Sequence, residues 1–310
     1  QAHNNRGLVY LSLNEPKKAL ADFSKAGKLD PKYADAWNNR GFAQYKQKQY
    51  KAALGDLTKA IQIKPDYINA LNNRGLVYLA MKNHAAVVSD MTAAIKASPN
   101  EIKLFRARRA AYLELKDFDK ARQDASKIEW LVRLASMTQA IDKSPLEFRN
   151  YMQRGLYLAD GGEHEAAVRD FSRAAQLNNS TSEPLVARAR SLLALNKTGD
   201  AIRDCATVIE VCEKAKSLIA KNQADGSLDA SPNVTGATDA QEAYSVRGDA
   251  WMAKEQYSKA IADYEKANRF DTTVAEAYLR RARQYDQAGN RRQAEADRQR
   301  AKSIDPSRRL

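Results

Sequence analysis

The chain has 310 residues, 29% charged and 44% hydrophobic, with a formal net charge of +13. Its longest apolar runs fall far below the roughly 20 residues that a bilayer-spanning helix requires, so the sequence offers no transmembrane segment. The cysteines are Cys205 and Cys212, and on one helix a separation of seven residues is about 10 Å of rise, too far to bridge, so they read as small buried apolar residues.

The charge is unevenly spread, at +7 over residues 1–101, +3 over 102–147, −1 over 148–240 and +4 over 241–310. Basic ends of this kind attract nucleic acid, anionic surfaces or acidic proteins, and they also describe an ordinary solvated face rich in lysine and arginine. The first residue is Gln1 and it already falls inside a helical pattern, which leads to the expectation of an upstream segment and leaves the compartment open.

Eight arginines are each followed sixteen residues later by an aspartate. In chain order the pairs are Arg6 and Asp22, Arg40 and Asp56, Arg74 and Asp90, Arg108 and Asp124, Arg154 and Asp170, Arg188 and Asp204, Arg247 and Asp263, and Arg281 and Asp297. Where the spacing is uninterrupted the arginines recur every 34 residues, a period that means a stacked array of small supersecondary units. Each unit reads as two amphipathic helices joined by a short polar turn. The second unit shows the pattern best, with Trp37, Gly41 and Tyr45 in its first helix, Tyr50 at the turn exit, Ala53, Leu57 and Ala60 in its second helix, and Pro65 closing it.

The units to either side carry the same slots, filled by Gly7, Tyr10, Ala19, Phe23, Ala26 and Pro31 in the first and Leu71, Gly75, Tyr78, Met91, Ala94 and Pro99 in the third. The fourth has Arg109 in the glycine slot, and the next equivalent position, Gly155, lies 46 residues on, which marks a 12-residue insertion. No Gly or Pro falls between Lys116 and Ser144, so one helix of about 27 residues is expected there. Its stripe of Trp130, Leu134, Met137 and Ile141 is expected to be covered by the neighbouring unit. Pro145 then closes the block, giving a division into residues 1–147 and 148–310.

The fifth unit supplies Tyr151, Gly155, Leu158, Ala167, Phe171 and Ala174, and the sixth has Ala189 in the glycine slot. A 25-residue insertion follows, in which Asn222 to Asp239 reads as a flexible loop rich in Gly, Ser, Thr, Asp and Asn. The seventh unit has Tyr244, Gly248, Trp251, Ala260, Tyr264 and Ala267, and the eighth has Ala282 in the glycine slot and Pro306 at its end.

These slots resemble the tetratricopeptide repeat. The resemblance implies an all-α, right-handed superhelical solenoid of eight helix-turn-helix hairpins that acts as a non-enzymatic scaffold for protein segments. Enzyme chemistry has no constellation to rest on. His3 occupies the aromatic slot of Trp37, while His84 and His164 occupy the turn-exit slot of Tyr50, and no His, Cys and Asp group has metal-ligand spacing. Neither a catalytic residue nor a cofactor is expected.

At about 100° per residue, the arginine of each unit falls on the face of the first helix that holds the aromatic, glycine and tyrosine slots. A partly buried Arg–Asp pair joining the two helices of one hairpin is the economical reading. The opposite face lines the concave groove in the resembling proteins, where extended peptides or partner helices bind. In the first three units that face carries Asn4, Asn5, Asn38, Asn39, Asn72 and Asn73, with Leu8, Phe42 and Leu76 one turn later. A side-chain amide donates and accepts, so it can hold a peptide backbone whatever its side chains, and apolar neighbours add burial. The arrangement resembles the asparagine ladder of glycosyltransferases that carry such repeats, as far as Ala107. The carboxylate clamp of chaperone-binding relatives is matched only at Asn39, since Asn4, Leu8, Asn69 and Asn73 fill its other positions. The competing reading is nucleic-acid or anionic-surface binding through the basic ends, including Arg280, Arg281, Arg283, Arg291 and Arg292.

The pairing argument predicts that Arg74→Ala lowers the melting temperature far more than Asn73→Ala. Removing one member of a buried pair costs about 3–5 kcal/mol when the other stays buried. Equal shifts in thermal melts monitored by circular dichroism would contradict the pairing.

Overall fold

The computed structural model describes residues 1–178, 180–224 and 234–307. Sixteen α-helices and no strand occur among the described residues, in two compact units, Gln1–Ala135 and Ser136–Leu310. The first unit holds α1 (Ala2–Ser12), α2 (Pro16–Leu29), α3 (Ala34–Lys46), α4 (Tyr50–Ile63), α5 (Ile68–Ala80), α6 (His84–Ala97), α7 (Ile102–Glu114) and the start of α8 (Phe118–Lys143). The second holds the end of α8 and then α9 (Phe148–Asp160), α10 (His164–Leu177), α11 (Glu183–Ala194), α12 (Thr198–Ala224), α13 (Val234–Ala253), α14 (Tyr257–Lys266), α15 (Thr272–Gln287) and α16 (Arg291–Ile304).

Odd-numbered helices pair with the even-numbered helices that follow them, and the turn between them is built the same way throughout. Asn14, Lys48, Lys82, Lys116, Gly162, Asn196, Glu255 and Gly289 all have φ between 57° and 79°, the left-handed conformation that ends a helix. The next residue donates its N–H to the carbonyl five residues back, from Glu15 to Tyr10 at 2.8 Å, Gln49 to Gln44 at 2.9 Å and Glu163 to Leu158 at 2.8 Å. This closure satisfies carbonyls left open by the last helical turn. Only two of the eight left-handed residues are glycines, so the turns were legible by position more than by composition.

The expected Arg–Asp pairs form in all eight hairpins, and each is bidentate. In the third hairpin Arg74 Nε donates to Asp90 Oδ2 at 2.9 Å and Nη2 donates to Oδ1 at 2.6 Å, and the other seven repeat this fork. The aspartates are all buried, and the arginines are largely covered except Arg6, whose side chain is 57% exposed. Hydrogen bonding from Arg6 lowers the Asp22 pKa, with burial acting against it. The guanidinium also lies over the aromatic slots, 4.7 Å from the Trp37 ring centre for Arg40 and 5.3 Å from that of Tyr244 for Arg247.

A third bond, absent from the sequence reading, ties hairpins to one another. Nη1 donates to a hydroxyl sixteen residues back, from Arg40 to Ser24 at 3.3 Å, Arg74 to Thr58 at 3.1 Å, Arg108 to Thr92 at 3.1 Å, Arg154 to Thr138 at 3.1 Å and Arg188 to Ser172 at 3.0 Å. The signal was available in the sequence, because Ser24, Thr58, Thr92 and Ser172 each follow a paired aspartate by two positions. At the first insertion Thr138 replaces Ser126, twelve residues further along α8.

The long helix was anticipated and spans 26 residues. Its early turns supply Asp124 to Arg108, and its last turns supply Thr138 to Arg154 and the Ala140 carbonyl to Asn150 at 3.3 Å. The compact units therefore divide within α8, rather than after it near residue 147. Along its stripe Ile141 is buried and Trp130, Leu134 and Met137 are half-buried.

The predicted loop over 222–239 needs correction. The α12 helix runs on to Ala224 and α13 begins at Val234, so both flanks are helical, and residues 225–233 lie outside the described residues. Val208, Ile209 and Cys212 of α12 form one apolar cluster with Ala240, Ala243 and Tyr244 of α13, which packs the two helices against each other. Beyond Cys212 the helix is mostly exposed and carries pairs of Lys214 with Glu210 and Lys216 with Glu213 along its own surface.

Close approach of the two helices is set by the residue pair at the glycine slot and sixteen positions later. A Cβ on Gly7, Gly75, Gly155 or Gly248 would lie 2.5–2.7 Å from Phe23, Met91, Phe171 or Tyr264. Where the slot holds Arg109, Ala189 or Ala282, the opposing residue is Ala125, Cys205 or Arg298. Gly248→Ala is expected to destabilise by about 1–3 kcal/mol through overpacking against Tyr264, whereas Ala189→Gly should cost about 0.5–1 kcal/mol through backbone entropy. Urea titration of the two variants orders these effects.

Candidate functional site

The asparagine-bearing face lies on α1, α3 and α5 and belongs wholly to the first compact unit. These helices present position-equivalent residues because the repeats are uninterrupted there. The structure splits the nine predicted residues into two groups. Asn4 and Asn38 are buried, at 3% and 5% exposure, whereas Asn39, Phe42, Asn72, Asn73 and Leu76 are half-buried and Asn5 and Leu8 are exposed.

Burial is accompanied by hydrogen bonding between the amides. Asn73 Nδ2 donates to Asn38 Oδ1 at 2.9 Å, Asn38 Nδ2 to Asn39 Oδ1 at 3.0 Å, and Asn39 Nδ2 to Asn4 Oδ1 at 2.9 Å. The four amides form a chain with every donor pointing the same way, from α5 through α3 to α1. A buried amide without partners would be costly, and the chain removes that cost while setting the spacing of the three helices. Two of the residues read as ligand contacts are therefore chiefly structural.

The chain also leaves unused capacity at its surface end. Among the described residues none donates to Asn73 Oδ1, and Asn39 and Asn73 each use only part of the two-donor, two-acceptor capacity of an amide. Phe42 and Leu76 stand one turn later on the same helices, and Phe42 is held by Tyr45 at a ring separation of 6.2 Å and by Lys46 at 5.6 Å. The result is a surface of fixed amides beside half-covered apolar side chains, suited to holding an extended backbone.

The basic C-terminal set is less available than its composition suggests. Arg281 is committed to Asp297, and Arg280 Nε donates to Glu276 at 2.8 Å, while Arg283, Arg291 and Arg292 are exposed. His3 joins the first clip, with Nδ1 3.2 Å from Asp22 Oδ1. Burial pushes the Cys205 thiol up to about 12 and raises that of Cys212, as expected of core residues. Among the described residues, no helix is long and apolar enough to cross a membrane.

Three tetratricopeptide repeat family models match the chain, at residues 7–48, 34–67 and 68–101. These matches identify residues 7–101 as tetratricopeptide repeats, and the same paired helices and slot residues recur in the hairpins that follow. Similar solved structures include a tetratricopeptide repeat protein from Parabacteroides merdae, at 17% identity and a TM-score of 0.39, covering 86% of this chain and 91% of that one. Another is PilF of Pseudomonas aeruginosa, at 17% identity and a TM-score of 0.37, covering 68% of this chain and 90% of that one. The first TPR of Spaghetti (RPAP3), solved with an HSP90 peptide, is 20% identical with a TM-score of 0.36, covering 37% of this chain and 94% of that one. No curated protein matches the chain.

The amide chain predicts that Asn38→Ala, which strands Asn73 Nδ2 and removes a donor from Asn39, destabilises the protein by about 1–3 kcal/mol. Asn72→Ala should change stability by less than about 0.5 kcal/mol. Paired chemical denaturation curves measure the difference.

Proposed function

We propose that the chain is a non-enzymatic scaffold of eight tetratricopeptide hairpins that binds an extended peptide segment or a partner helix across α1, α3 and α5. The observation that carries this reading is the one-way amide chain. It fixes Asn39 and Asn73 in place, leaves Asn73 Oδ1 open to a donor, and sets both beside Phe42 and Leu76. A peptide bond supplies the complementary N–H and C=O, and immobilised amides lower the ordering cost of binding it. The contact set is accordingly Asn5, Asn39, Asn72, Asn73, Leu8, Phe42 and Leu76, with Asn4 and Asn38 supporting it from beneath.

The basic-end reading is the weaker one, since two of its five named arginines, Arg280 and Arg281, are held by Glu276 and Asp297. The two readings differ in salt dependence. Release of counterions from a polyanion would make binding collapse between about 50 and 200 mM salt, and a groove contact would weaken only modestly.

Selection from a displayed random-peptide library with the full chain tests the proposal. Peptides enriched by the wild type are expected to bind the Asn39→Ala/Asn73→Ala/Phe42→Ala variant at least about tenfold more weakly, the loss of one strong contact or two modest ones. Equal binding by a variant with an unchanged far-ultraviolet circular dichroism spectrum would discard this face as the site.

A further inference from the structure

The second compact unit carries a concavity on the slots equivalent to the asparagine face, and its chemistry is different. A cavity of about 130 Å³ lies between α9, α11 and α13. Its floor includes Met152 and Val186, both buried, at the slots that hold Asn38 and Asn72 in the earlier hairpins. Its rim includes Glu183 from the first turn of α11 and Asp239 and Glu242 from α13, with Arg190 of α11 as the lining cation.

Arg190 Nη2 lies 2.5 Å from Glu242 Oε1, so one carboxylate is answered within the site. Glu183 and Asp239 leave the lining with an excess of negative charge, in a chain whose net charge is +13. Asp239 is half-buried, and its pKa is raised by burial and by the nearby Glu242, the condition of a carboxylate lacking a counter-charge. An apolar floor beneath an acidic rim matches one kind of side chain, a cation carried on a methylene stem.

We propose that this cavity on α9, α11 and α13 binds a lysine or arginine side chain of a partner peptide, with the stem over Met152 and Val186 and the cationic head at Asp239 and Glu183. The site is separate from the asparagine face and does not depend on it. The partner class is a basic protein segment, selected by charge as well as by backbone.

Fluorescence anisotropy of a labelled tetralysine peptide with the full chain tests this. The control is the same peptide with its side-chain amines acetylated, which keeps the stems and removes the charge. The wild type should bind tetralysine at least about fivefold more tightly than the control, the scale of a partly exposed ion pair. Asp239→Asn/Glu242→Gln should abolish that preference. Arg190→Gln should strengthen tetralysine binding by releasing Glu242, a gain that general destabilisation does not produce. Should the double variant fail to fold, Glu183→Gln at the exposed start of α11 probes the same rim and should weaken the preference. Asn39→Ala/Asn73→Ala should bind tetralysine like the wild type, so failure of one site leaves the other standing. The proposal is overturned if tetralysine and its acetylated form bind the wild type equally, if the folded rim variants retain the preference, or if the asparagine variant loses it.

Discussion

The arrangement of the helices depends on one guanidinium per hairpin. Its fork with aspartate joins the first helix to the second, and in five hairpins its remaining nitrogen reaches a hydroxyl on the preceding second helix. A buried ion pair is not obviously more stabilising than an apolar contact of the same size. Its value here is geometric, because the planar fork accepts a carboxylate in one orientation and so fixes rotation as well as distance. The same sixteen-residue offset operates forward to the acid and backward to the hydroxyl, so a change of spacing on either side must be absorbed by helix length. The long α8 does this by supplying one partner near its start and the other twelve residues beyond the usual place.

Packing obeys a second rule that the ion pairs leave room for. Small residues in the first helix face large ones in the second, as Gly7 faces Phe23 and Gly248 faces Tyr264. Where the small residue becomes Ala189, the opposing position becomes Cys205, which is fully buried. The fourth and sixth repeats, with Arg109 opposite Ala125 and Ala189 opposite Cys205, thus move volume across the interface, whereas the eighth keeps a large residue, Arg298, opposite Ala282. The burial of Cys205 is accounted for by this exchange.

Much of the fold was legible because helical period, proline position and the Arg–Asp spacing all gave the same register. The hydroxyl acceptors were missed although Ser24, Thr58 and Thr92 stand in plain sequence, since a small polar residue on a helix has no distinctive pattern until the arginine that reaches it is located. The loop boundaries at Ala224 and Val234 were missed because a polar, Gly- and Ser-containing composition does not distinguish an exposed helix end from a loop. At the asparagine face, periodicity grouped residues of one face and could not divide them by burial. Asn38 and Asn39 are adjacent and chemically identical, yet one is buried as a support and the other remains half-exposed.

The two faces show how a repeat array separates folding from recognition. Clip residues recur in every hairpin because each hairpin faces the same stacking problem, so their persistence carries no information about a ligand. Residues at the slots of Asn38 and Phe42 are released from that demand and drift, to Met152 and Val186 in one case and to Leu156 and Arg190 in the other. Where neighbouring hairpins share the same polar side chain, amides bond across helices and the surface becomes a strip of fixed amides. Where they differ, no such chain can form, the floor turns apolar, and acids from the start of α11 and from within α13 define the rim. Recognition in this protein is therefore best sought where successive hairpins depart from one another or share a residue that the clips do not require.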